Sequence, residues 1–365
     1  MRLAEFTVNS DDLQRALQAI MKLAVPFNGT INIAISANGV EIESRAELSA
    51  LKINLPILSC NGDIKLGVTF ENLRLATAGK KGVLTFFYED TRLKIEVANY
   101  SSAIGTIDFM HYEDIEEHND LVFNNIDAAT AAWMLKSTRA VQLKPNLTTP
   151  IMPVLVKLGQ DESLVACYAL DHLSFIKDSE FKTEKNIELS MPVETLVNIL
   201  SVFDEFKLGY NDSVVVCKSD WASVSTALPA TDAYIESSTL IDRLALFTSQ
   251  EDGSELEFSK KEINDFLGNS KAVASKERCE LIFDCQEKIT KVERSTAFGN
   301  VRLELMKATK PCRYKLDGEY FAEALKQCKT KDEDDKVKIA CYKDYGFTLI
   351  NTQPGSYTIV ALNKD

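Results

Sequence analysis

The sequence predicts an α+β protein of three similar domains, each made of two strand-helix-strands units. Three observations lead there. The chain has 365 residues, more than one ordinary hydrophobic core accommodates, since domains cluster near roughly 100–150 residues. A short alternating strand runs into a helix-spaced apolar stripe six times. The helix anchors Leu13, Leu73, Ala128, Leu196, Ile263 and Phe321 lie 55 to 68 residues apart. A unit of about 60 residues is marginal as an independent core. Units should therefore pair, giving domains at 1–118, 119–242 and 243–365.

The repeated template is two apolar residues flanking one other, a gap of four, an apolar anchor, then small or apolar positions three and four further on. The first copy is Phe6, Val8, Leu13, Ala16, Leu17 and the second Leu66, Val68, Leu73, Ala76. The third, Leu121 and Phe123 followed by Ala128 to Leu135, fits loosely. The fourth is Leu189, Met191, Leu196, Ile199, Leu200, with Pro192 in the first helical turn, where its missing N–H costs nothing. The fifth is Leu256, Phe258, Ile263, Phe266, Leu267, and the sixth Tyr314, Leu316, Phe321, Ala324, Leu325. The leading pair alternates with period two and faces one side of a strand; the later set steps by three and four and lines one face of a helix. Ser10, Ser259 and Asp317 read as N-caps, and Ser259 with Glu262 has the capping-box spacing.

Hairpins fill the intervals: Ile31–Ser36 with Gly39–Ser44, Gly82–Tyr88 with Leu93–Ala98, and Leu164–Ala169 with Leu173–Lys177. Three more follow at Ser213–Lys218 with Ala222–Ala227, Glu280–Asp284 with Lys288–Glu293, and Val337–Tyr342 with Phe347–Asn351. The acidic stretch 111–120 and the segment 235–254 read as linkers between domains.

Composition narrows the class. Hydrophobic residues make up 45% and charged residues 26%, the profile of a folded chain. No stretch reaches the roughly 18 apolar residues of a membrane span, and the start lacks a signal-peptide pattern, which points to a cytoplasmic protein. Eight cysteines without a CxxC pair read as reduced thiols. His111 and His118 lie in a charge run that reads as solvated surface rather than a metal site. The third histidine, His172, follows Asp171, but no nucleophile–base spacing accompanies it. The run 78–82 is rich in Gly and Lys yet lacks the GxxxxGK[ST] order that cradles phosphates. No enzyme, cofactor or metal is expected.

Units joined end to end stack or close, and a closed homodimer is the arrangement that removes every unpaired strand edge. The formal charge of −13 speaks against holding nucleic acid by net charge. The helical segments and their ends nevertheless carry Arg15, Lys22, Arg74, Lys80, Lys81, Lys136, Arg139, Lys144, Lys260, Lys261, Lys271, Lys276, Lys326 and Lys329, while acids gather in connections such as 331–335. A ring with helices and cations inside and sheets outside would attract phosphates only within its bore, and encirclement needs no tight contact. The alternatives are an oligomeric scaffold that binds no DNA, or a hydrolase or nuclease with dispersed acids.

The segment LVACYALDHLSFIKDSEFKTEKNIELSMPVETLVNIL resembles the central-domain segment of the bacterial and phage sliding clamps, the β subunits of DNA polymerase III. There a strand carries Ala-Thr-Asp-Gly-His-Arg-Leu and a Val-Pro helix start follows. The ending SYTIVALNKD resembles that family's Tyr-Val-Val-Met-Pro-Met-Arg-Leu. The Gly-His-Arg is missing from Ala169-Leu170-Asp171-His172-Leu173-Ser174-Phe175, and the last strand lacks the proline, marking a divergent member of bacterial or viral origin. The resemblance implies the clamp fold and a processivity factor around double-stranded DNA, with a DNA polymerase, a clamp loader and a second copy of itself as partners. It also implies a peptide pocket walled by Met152, Leu170, His172, Phe175, Thr239, Tyr345, Ile359, Val360, Ala361 and Leu362, with Leu362 as an anchor. By the same resemblance, the edge near Tyr100–Ile107 of one chain would meet Ala272–Glu280 of the other.

Overall fold

A computed structural model describes residues 3–110, 121–143, 151–169, 172–228, 237–270, 279–296, 299–328, 336–353 and 356–363. The chain divides into two compact units: Met1–Trp133 with Thr195–Ala230, and Met134–Glu194 with Thr231–Asp365.

The strand-helix-three-strand repeat recurs six times among the described residues. The first copy is β1 (Ala4–Asn9), α1 (Ser10–Leu23), β2 (Thr30–Ser36), β3 (Gly39–Arg45) and β4 (Ser49–Leu55), followed by an extra strand, β5 (Ser59–Gly62). The second is β6 (Ile64–Thr69), α2 (Phe70–Thr77), β7 (Val83–Glu89), β8 (Arg92–Val97) and β9 (Tyr100–Ile107). The third is β10 (Asn124–Ile126), α3 (Ala128–Val141), β11 (Pro153–Leu158), β12 (Ser163–Ala169) and β13 (His172–Asp178). The fourth is β14 (Ile187–Pro192), α4 (Val193–Leu200), β15 (Phe206–Tyr210), β16 (Val214–Lys218) and β17 (Ala222–Ala227). After α5 (Ser237–Thr248) come β18 (Ser254–Ser259), α6 (Lys260–Ser270), β19 (Glu280–Cys285), β20 (Thr290–Thr296) and β21 (Gly299–Leu305). The sixth is β22 (Cys312–Asp317), α7 (Gly318–Gln327), β23 (Lys336–Tyr342), β24 (Phe347–Gln353) and β25 (Ser356–Ala361).

All six expected hairpins form as antiparallel neighbours. The leading strand of each repeat does not pair with the hairpin that follows it. It crosses to the sheet of the companion repeat: β1 to β7, β6 to β2, β10 to β15, β14 to β11, β18 to β23 and β22 to β19. This exchange knits repeats in pairs, as the marginal size of a single repeat requires. Longer sheets arise where third strands meet. β4 pairs β17 in the first unit, within a thirteen-stranded sheet, and β13 pairs β25 in the second, within an eight-stranded sheet. A four-stranded sheet, β21-β20-β19-β22, completes the second unit.

The template positions carry the core. Phe6, Val8, Leu13, Ala16 and Leu17 are buried, as are all five positions of the fourth, fifth and sixth copies. In the second unit α6 and α7 lie side by side, α6 against β18 and β21, α7 against β22, β24 and β25. Phe321 is fully buried between Phe283 and Phe258, with ring centroids 5.5 Å and 6.2 Å away.

Four expectations are corrected. The third repeat is framed later than Leu121 and Phe123: its strand is Asn124–Ile126, Ala128 is exposed, and Ile126, Ala131 and Met134 are the buried positions. Phe123 instead covers Gly209, where a Cβ would come within 2.8 Å of its ring. Asn9, not Ser10, is the N-cap of α1; Ser10 is already helical, and its Oγ accepts from the Gly82 N–H at 3.1 Å. Pro192 ends β14, and α4 starts one residue later. The expected linker 235–254 contains α5. Asp317 caps α7 as read, accepting from the N–H groups of Glu319 at 2.8 Å and Tyr320 at 3.4 Å. The linker 111–120, with His111 and His118, lies outside the described residues.

Candidate functional site

Three features can do work: the two faces of the β13–β25 seam, the cationic helix positions, and the free sheet edges.

At the seam, His172 pairs with Val360, Leu173 with Ile359 and Phe175 with Tyr357. Alternation sends these side chains to opposite faces. Phe175 and Ile359 belong to one apolar cluster with Leu155, Leu164, Leu244 and Phe347, while Val360 and Leu362 belong to another with Leu316 and Phe321. The expected pocket wall is thus split between two faces. On the Val360 face His172 stacks on Tyr320 of α7 with centroids 4.0 Å apart. The Ser174 hydroxyl donates to Gln327 Oε1 at 2.7 Å, and Thr358 Oγ1 lies 3.1 Å from both Ser174 Oγ and that oxygen. Helix α7 therefore fills that face.

The opposite face carries an open groove of about 120 Å³, lined by Leu164, Phe175, Leu244, Ala245 and Thr248, with Lys157, Lys177 and Glu162 at its polar side. Lys177 Nζ is 2.8 Å from Glu162. Phe175 leans on Tyr357 at 5.7 Å, and the last turn of α5 is closed by the Thr248 hydroxyl, which donates to the Leu244 carbonyl at 2.8 Å. Of the expected wall, only Phe175 lines this groove. Ile359 packs behind it in the same cluster, Met152 is buried, Thr239 and Tyr345 are exposed, and Ala361 is half-buried. Leu170 lies outside the described residues. Sequence reading missed Leu164, Leu244 and Ala245; the run Leu240, Ile241, Leu244, Phe247 has helical spacing and could have revealed α5.

The cations differ in availability. Arg15 stacks its guanidinium on Trp221 at 4.1 Å, Lys22 donates to Ser201 Oγ at 3.1 Å, and Lys80 lies 3.3 Å from the Tyr100 ring centroid. Arg74 is held by a two-point contact to Glu71 and Lys326 pairs with Glu323 at 2.8 Å, so these two add little net positive field. The same contact holds the Glu71 carboxyl below its usual pKa and raises that of Arg74. Lys260 donates to the Cys328 carbonyl at 2.7 Å. Lys81, Lys136, Arg139 and Lys261 are exposed. Lys144, Lys271, Lys276 and Lys329 lie outside the described residues.

The edges follow a rule. The third strand of one repeat pairs with the third strand of another in β4–β17 and again in β13–β25. Two third strands remain, β9 and β21. Among the described residues, β9 pairs β8 and touches β6 only through Thr106 and Ile107, and β21 pairs β20 alone. Glu280, expected near the partner contact, lies at the start of β19, paired with Asp317 of β22, while the pairing of β19 with β20 begins at Ile282; residues 272–278 lie outside the described ones.

Neither a protein-family model nor a curated protein matches the chain. Solved structures do. The DNA polymerase III β subunit of Thermotoga maritima superposes with a TM-score of 0.79 at 14% identity, covering 99% of this chain and 100% of that one. The β subunit of Pseudomonas aeruginosa gives 0.78 at 9% identity over 99% and 100%. The DNA polymerase sliding clamp of Bacillus subtilis gives 0.74 at 15% identity over 99% of each chain. With six exchanged repeats matched from end to end, the chain has the sliding-clamp fold of the DNA polymerase III β subunits.

Proposed function

We propose that this chain is a DNA sliding clamp, a processivity factor that closes around duplex DNA and tethers a polymerase, rather than an enzyme. The observation that carries the reading is a pair of third strands, β9 over 100–105 and β21, each with one edge that has no partner strand among the described residues. If the rule that joins β4 to β17 and β13 to β25 is applied once more, β9 of one chain pairs with β21 of a second, and the reciprocal pairing closes a homodimer without an edge. Each chain then contributes three pairs of repeats, at 1–118, 119–242 and 243–365. The strand β9 carries no charged residue, so nothing along it repels an incoming strand. No helix among the described residues is long and apolar enough to cross a membrane, and the proposed site of action is the cytoplasm of a bacterial cell or phage-infected host.

Encirclement reconciles a net charge of −13 with DNA. A topological link needs no strong attraction, and Lys81, Lys136, Arg139 and Lys261 are exposed cations that would face phosphates, as would Arg15 and Lys22. The groove at Phe175 is the proposed docking point for a short apolar motif of the polymerase or the clamp loader, because a few buried anchors supply most of the affinity of such motifs. Phe175→Ala is expected to weaken such a peptide by about 1–3 kcal/mol, read by calorimetric titration, while Leu362→Ala, on the α7 face, leaves peptide affinity unchanged.

The test of the whole reading is topological. The protein is assembled on nicked circular DNA and the complex is separated from free protein by gel filtration at physiological salt. Retention on the circle, with release once a restriction enzyme cuts it, is the expected result. Equal release from circle and linear DNA overturns the proposal and favours a scaffold.

A further inference from the structure

Three of the eight cysteines converge in the second unit. Cys285 closes β19 and stands directly opposite Cys312, the first residue of β22. Cys341 lies on β23 opposite Ser254. Cys285, Cys341 and Ser254 are the side chains that act on the Cys312 thiol, Cys285 from directly across the β19–β22 pair. Cys285 and Cys341 are sealed in the core at 4% and 2% exposure, whereas Cys312 is half-buried. A partly exposed cysteine, Cys312, therefore lies beside two buried ones.

Its chemistry differs from that of the other thiols. Hydrogen bonds from Cys285 and Cys341 favour the Cys312 thiolate and pull its pKa below the usual thiol value, with Lys343 assisting by charge. The same contacts push Cys285 and Cys341 up, and keep them protonated. Burial raises Cys60, the other half-buried thiol, and holds Cys167 at about 12. Reactivity follows thiolate content and access, and Cys312 alone combines the two.

We propose that Cys285, Cys312 and Cys341 form a peroxide-sensitive thiol site in which Cys312 is the attacked sulfur and a buried neighbour closes a disulfide on it. The Cys312 thiolate attacks one oxygen of hydrogen peroxide, the O–O bond breaks, and hydroxide leaves; sulfur is oxidised to a sulfenic acid as the peroxide is reduced. Once Cys312 has lost its own thiolate the contacts that kept its neighbours protonated are gone; Cys285 or Cys341 gives up its proton to the departing oxygen, its thiolate attacks the sulfenic sulfur, and water leaves as the S–S bond forms. A bond to Cys285 links neighbouring strands of the four-stranded sheet. A bond to Cys341 staples that sheet to the eight-stranded one.

The test uses the full chain. After hydrogen peroxide treatment, remaining thiols are blocked with iodoacetamide and peptides are mapped by mass spectrometry without reduction. The expected product is one intramolecular disulfide that contains Cys312, is reversed by dithiothreitol, and is absent in Cys312→Ser. Near pH 6, untreated Cys312 should be alkylated roughly tenfold faster than Cys60, since only the thiolate reacts. A Cys285→Ser, Cys341→Ser double variant should stop at the sulfenic acid, trapped by dimedone on Cys312. Alkylation of Cys312 no faster than Cys60, or a peroxide-treated wild-type chain with no disulfide at Cys312, overturns the assignment.

Discussion

Replacing Phe321 by alanine is expected to cost about 3–5 kcal/mol, the largest stability loss of any single truncation considered. The ring is fully buried and is held edge-on by Phe283 and obliquely by Phe258. Phe283 in turn stacks on Tyr314 at 5.0 Å, so four aromatic rings from β18, β19, β22 and α7 depend on one another. Deleting the central one leaves a cavity that these neighbours cannot close without giving up rotamers of their own. Because a chain with two compact units does not unfold as a single step, one midpoint would misreport the effect. Hydrogen exchange resolves it: protection should fall in α7, β19 and β22 and persist in β1 to β9. A loss below about 1 kcal/mol would show that α7 is held by something other than this cluster.

Phe321 is also where the sequence was easiest to read. The fifth and sixth repeats carry large apolar residues at every template position but Ala324, so the change from period two to helical spacing is sharp, and all those positions are buried. The third repeat is harder because Leu121 and Phe123 imitate the strand pair while the strand itself begins with the polar Asn124 and Asn125, and its helix opens with Ala128 and Ala129, which fit either side of a helix equally well. Hairpins were legible because each is local. The exchange of leading strands was not, since β1 with β7 or β18 with β23 joins residues far apart in sequence, and no local signal names the partner. The groove failed for another reason. Residues 359 to 362 do not form one wall, because in a strand neighbours point to opposite faces, and α7 claims the side of Val360 and Leu362. The segment with α5 was read by its polar ends and not by Leu244 and Phe247, which reach the apolar cluster beside the groove.

If the chain is the sliding clamp proposed above, reversing charge at Lys136 and Arg139 changes how it meets DNA without releasing it from a closed circle. Both side chains are exposed on α3, one turn apart, where substitution disturbs no core contact. Were each to neutralise one phosphate, the slope of log affinity against log salt on linear duplex would shrink by about 0.9 per residue, roughly 1.8 for Lys136→Glu with Arg139→Glu. Affinity at low salt would fall with it, and more than for neutral replacements, because a carboxylate repels the phosphate it faces. The double change Glu71→Gln with Arg74→Gln is the informative control. These two side chains already neutralise one another, so replacing both takes away a pair rather than a free cation and should move the slope less. Retention on nicked circular DNA should survive in both variants, because a link made by topology is not undone by weakening contacts. Loss of circle retention in step with loss of salt slope would mean that charge alone holds the DNA, and closure of β9 on β21 would then have no part in it.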